Sequence, residues 1–136
     1  GLPAFLSSRP GLNSGYMLAQ YTAAALVAEN RVLSHPASVE SIPTSGLQED
    51  HVSMGWGAAR KLGEVVDNTT RVLAVEMVCA AQGVELRAPL RPAPATGRAI
   101  EILRSVVPPL AEDRPVSFDI EAVTGLIENG AFDELL

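Results

Sequence analysis

Gln48, Glu49, Asp50 and His51 stand consecutively in a chain that is 47% apolar and only 19% charged. An amide, two carboxylates and an imidazole in one short run can orient a substrate that offers N–H groups, or move a proton. They can equally complement the positive end of a helix dipole, at about 0.3–1 kcal/mol per carboxylate. The run follows the loop "SIPTSGL" and precedes a long apolar periodic segment, so it is expected where loop turns into helix. The other reactive side chains point elsewhere. His35 and His51 lie on separate elements without the helical spacing of a zinc site, so no metal is expected. Cys79 is the single cysteine, sits in an apolar run, and reads as packing; no disulfide framework exists. The stretch "GLNSG" lacks the pattern of a nucleophile elbow, and there is no glycine-rich phosphate loop.

These residues must be positioned by helices. From Gly11 onward the pattern turns helical, with Tyr16, Ala19, Ala23, Leu26 and Val27 on one face and Asn13 or Ser14 as caps, giving a helix near 13–33 that ends before Pro36. A long helix is expected over 48–82, with Gly83 as its C-cap. Met54, Ala58, Leu62, Val65, Thr69, Val72 and Glu76 form one stripe on it; Val66, Leu73, Met77 and Ala80 form another. Apolar residues on more than one side mark a helix with several neighbours. Thr96 opens a helix near 96–107, stopped by Pro108-Pro109, with Arg98 and Arg104 as solvated surface. A last helix is expected near 119–129, stopped by Gly130. No strand alternation or hairpin turn is visible. The fold class is all-α, a long-helix bundle, with residues 1–136 as a single helical segment.

Composition narrows the partners. The net charge is −6 with no long basic run, which argues against nucleic acid and against an anionic membrane surface. The apolar run 72–81 is too short to span a bilayer. A charge fraction below the roughly 25% of ordinary soluble domains implies extra burial against other chains.

Four words of this sequence occur in order: "GLNSG", "HPASV", "SIPTS" and "QEDHVSMG". Together they closely resemble the C-terminal part of the aromatic amino acid lyases, strongly over residues 1–62 and more loosely beyond. The resemblance implies an aspartase-like all-α fold, a homotetramer in the cytoplasm, and elimination of ammonia from an aromatic amino acid. It implies an electrophilic cofactor, 4-methylidene-imidazol-5-one (MIO), which family members make from an internal Ala-Ser-Gly. Within the family, Glu49 resembles the members acting on L-histidine, which give urocanate; the phenylalanine-acting plant members have Gln at this place. A carboxylate rewards an imidazole's N–H and positive charge, whereas beside a phenyl ring it would be an unpaired charge. The resemblance thus makes Glu49 the catalytic and substrate-binding group and Gln48 a neighbouring substrate-binding support. Asp50 and His51 are left to fix the helix start.

The sequence also departs from the family. It contains no Ala-Ser-Gly; Thr44-Ser45-Gly46 is a near match, but belongs to the "SIPTS" word rather than to an MIO loop. The chain therefore reads as a C-terminal fragment, inactive alone, whose partner is the missing N-terminal part of the same enzyme. The alternatives are a tyrosine or phenylalanine ammonia-lyase or aminomutase of the same family, or a non-catalytic helical oligomerisation module.

Overall fold

The computed structural model describes residues 1–39, 42–49 and 52–135. Four α-helices carry the fold: α1 (Met17–Leu33), α2 (Gly55–Glu85), α3 (Pro94–Arg104) and α4 (Ser117–Glu128). Among the described residues no strand forms; only isolated bridges pair Pro10 with Asn13 and Thr44 with Glu49. The architecture is all-α, as the sequence pattern implies.

α2 has 31 residues and extends about 46 Å. α1 runs antiparallel along it. The Asn68 amide of α2 donates to Asn30 Oδ1 and Glu29 Oε2 of α1, both at 3.0 Å, and further along Lys61 Nζ donates to the His35 carbonyl. α4 packs on α2 as well, with an Arg71–Glu121 ion pair at 3.1 Å on its rim. The core collects where the helices meet the second half of α2. Ala74, Val75, Val78 and Ala81 are buried there with Tyr16, Ala19, Leu103, Val107, Leu110, Ile120 and Val123. Burying side chains such as Val78 and Leu103 stabilises by about 1.5–3 kcal/mol each. By contrast, Leu62, Val66 and Leu73 from the sequence-read stripes are exposed in this chain.

The helix ends differ from the sequence reading for physical reasons. α1 begins at Met17, because residues 13–16 are held in a turn in which the Tyr16 N–H donates to the Phe5 carbonyl at 2.9 Å; neither Asn13 nor Ser14 caps the helix. Gly15 has φ +56, and a Cβ there would lie 2.4 Å from the Phe5 oxygen, so only glycine allows this close approach. α2 begins at Gly55, not Gln48, after Met54 takes a left-handed conformation. It runs past Gly83 to Glu85; Gly83 is no cap but a buried helical position beside Leu2 and Leu6. α3 starts at Pro94, whose missing N–H is one that a first turn leaves unpaired anyway. It ends at Arg104, and Val107 enters the core from the following turn. α4 starts at Ser117, and Gly130, at φ +69, follows its end.

Two polar devices close the core. Gln82, buried, donates from Nε2 to the Leu110 carbonyl and accepts from the Leu110 N–H, both at 3.1 Å. Arg104 is not solvated surface: its guanidinium donates from Nε and Nη2 to the two oxygens of Glu85, both at 2.8 Å, and from Nη1 to the Val107 carbonyl. The planar fork matches the carboxylate, which Lys could not do.

Candidate functional site

Gln48 and Glu49 are not part of a helix. They lie on a short turn that closes on itself. The Thr44 N–H donates to the Glu49 carbonyl at 2.9 Å, and the Glu49 N–H donates back to the Thr44 carbonyl at 3.3 Å. Within this clasp the Leu47 N–H also donates to the Thr44 carbonyl (3.0 Å) and the Gln48 N–H to the Ser45 carbonyl (3.3 Å). The connecting backbone is left-handed at three successive residues, with φ +53 at Ser45, +63 at Gly46 and +72 at Leu47. Only Gly46 takes this region without steric cost.

The turn is a tip rather than a packed element. Residues 45–49 are all exposed, Leu47 to 78%. A Cβ on Gly46 would meet nothing within 4 Å. Among the described residues neither the Glu49 carboxylate nor the Gln48 amide takes a partner, so both are available to a ligand. The expectation that this run complements a helix N-terminus fails: the first turn of α2 carries no acidic residue. Asp50 and His51 lie outside the described residues, so their expected role at the helix start does too.

The remaining candidates separate from this tip. His35 lines a cavity of about 320 Å³ with Ser34, Lys61, Leu62 and Val65, between the end of α1 and the first half of α2. No hydrogen bond joins it to Gln48 or Glu49. Cys79 is half-buried in α2, and burial pushes its thiol pKa up, away from a reactive thiolate. Among the described residues no three His, Cys, Asp or Glu side chains are grouped to hold a metal ion, and no helix is long and apolar enough to cross a membrane.

A family model described as aromatic amino acid lyase matches residues 1–105. The chain belongs to the aromatic amino acid lyases. Histidine ammonia-lyase of Gloeobacter violaceus is 57% identical to it over 130 residues, covering 96% of this chain and 25% of that enzyme. The crystal structure of histidine ammonia-lyase from Trypanosoma cruzi superposes with a TM-score of 0.94 at 51% identity, over 98% of this chain and 26% of that one. Tyrosine aminomutase from Streptomyces globisporus superposes with a TM-score of 0.93 at 43% identity, over 99% and 26%. The chain thus spans about a quarter of the length of the relatives it matches.

Membership raises the question of MIO. No Ala-Ser-Gly is present, and the nearest approach is Thr44-Ser45-Gly46. Cyclisation would consume that backbone, yet the Thr44 carbonyl already accepts from both Leu47 and Glu49 N–H groups. The residues of this aromatic lyase chain do not fit the cofactor. What sequence reasoning missed is the Thr44–Glu49 clasp. Its one visible signal was Gly46 between two polar runs; left-handed Ser45 and Leu47 run against their residue types.

Proposed function

We propose that this chain is the C-terminal part of a histidine ammonia-lyase, which eliminates ammonia from L-histidine to give urocanate. The reading is carried by the 57% identity to a histidine ammonia-lyase together with a free carboxylate, Glu49, presented on an exposed turn. The likeness to tyrosine aminomutase is lower in identity, at 43%. A carboxylate suits an imidazole better than a phenol ring, because it accepts the ring N–H and stabilises positive charge on it.

In this reading Glu49 contacts the substrate's imidazole or amine and assists proton transfer, and Gln48 is a polar support beside it. MIO comes from a part of the full-length enzyme outside these residues. The remainder of that enzyme, and further copies in a cytoplasmic homotetramer, cover the apolar side chains that α1 and α2 expose, among them Leu18, Tyr21, Trp56, Leu62 and Val66. The chain by itself turns over no histidine.

The test is Glu49→Gln in the full-length enzyme. Histidine turnover falls by at least about 100-fold, the usual scale for a lost proton-transfer group. Turnover near that of the unaltered enzyme would remove Glu49 from the mechanism.

A further inference from the structure

Glu49 is held by a local main-chain clasp. A Cβ on Gly46 would meet nothing within 4 Å, and among the described residues no side-chain hydrogen bond holds Glu49. Its position is set by the reciprocal main-chain bonds to Thr44 and by the three left-handed residues between them. Of those three, Gly46 is the one that, lacking a Cβ, takes the left-handed region without steric cost. Its φ is +63 and ψ +37, and the space around its Cβ position is open. A substitution there changes backbone preference without introducing a clash.

We propose that Gly46 and Thr44 are positioning residues for Glu49: the Thr44 main chain clasps Glu49 from both sides, and Gly46 supplies the left-handed turn that lets the clasp close. This rests on the reading of Glu49 as the group that meets the substrate. Backbone held in sparsely populated conformations concentrates where a reactive group must be pre-placed. Asn tolerates the left-handed region, whereas a β-branched residue does not. The turn therefore distinguishes Gly46→Asn from Gly46→Val although both add bulk to the same open space.

The experiment compares Gly46→Asn, Gly46→Val and Glu49→Gln in the full-length lyase, measuring kcat, KM and the pH profile with histidine alongside Tm. Gly46→Val is expected to lower kcat by about 10- to 100-fold, the scale of an ångström-sized misplacement. Its KM and Tm change little, a split of kcat from KM and stability that a merely structural role would not give. Gly46→Asn keeps kcat within about threefold, because it retains the backbone region. The proposal is overturned if folded Gly46→Val turns over histidine like the native enzyme, or if Gly46→Asn falls as far as Gly46→Val. If Gly46→Val does not fold, Gly46→Ala replaces it, and equal kcat for the Ala and Asn variants overturns the proposal. Native turnover in Glu49→Gln would instead overturn the parent reading, so the two failures are distinct.

Discussion

The Asp113 carboxylate accepts the main-chain N–H of Gly15, 98 residues earlier, at 2.9 Å, and that of Ser14 at 2.8 Å. The loop after α3 thereby fastens the turn that launches α1. These two bonds hold the Asp113 pKa below the usual 3.8. A carboxylate whose pKa is depressed by folding contributes stability that is present above the unfolded value and lost as pH falls through the folded one. Asp113→Asn is expected to lower Tm at neutral pH, with the difference from the native protein shrinking below about pH 4. Thermal unfolding across pH 2 to 7 checks this; a constant offset would rule out the carboxylate's charge as the cause.

Gln82 should be far less replaceable than its place on a helix suggests. Its amide satisfies both main-chain groups of Leu110 in the core. Gln82→Leu leaves a buried N–H and a buried carbonyl without partners, at about 1–3 kcal/mol each. Chemical denaturation would register a loss of roughly 2–5 kcal/mol. A loss under about 0.5 kcal/mol would show that the Leu110 groups find other partners.

Tyr16 behaves in the opposite sense. It is 3% exposed, and among the described residues its hydroxyl has no hydrogen-bond partner. Burial, ahead of the charges of Arg104 and Asp119, pushes its pKa up to about 12. Tyr16→Phe is expected to be neutral or slightly stabilising, because the desolvation of the hydroxyl is relieved. A phenol whose folded pKa exceeds its unfolded 10.0 contributes stability that falls as pH rises from that value toward about 12. The Phe variant should lose that alkaline decline, which urea midpoints between pH 8 and 11 would reveal.

Much of this was legible in the sequence, for reasons that individual residues make plain. The four helices follow from apolar periodicity and from Pro108 and Gly130, which bias the backbone on their own, although the α3 start at Pro94 reads as loop. Gln48 and Glu49 were legible as chemistry, because unlike charges and amides cluster there in an apolar chain. Their setting was not. Ser45, Leu47 and Met54 adopt left-handed backbone against their own preferences, so nothing local announces that the helix waits until Gly55. Gly83 reads as a stop, yet it lies inside the helix, buried beside Leu2 and Leu6. Arg104 reads as surface and is a partner of Glu85. The Arg104–Glu85 pair joins two different elements, where periodicity carries no information.

The uneven burial along α2 divides one continuous helix into two thermodynamic regimes. Its buried residues all lie between Ala74 and Gly83, while Trp56, Leu62 and Val66 stand exposed nearer its start. Amide protons around Val78 should exchange with solvent only when the core opens as a whole. Those near Ala58 should exchange through local fraying, although the hydrogen-bond ladder between them is unbroken. Any partner that covered the first half would raise protection there selectively. The exchange profile of this single helix is therefore a gauge of how far its first half is covered.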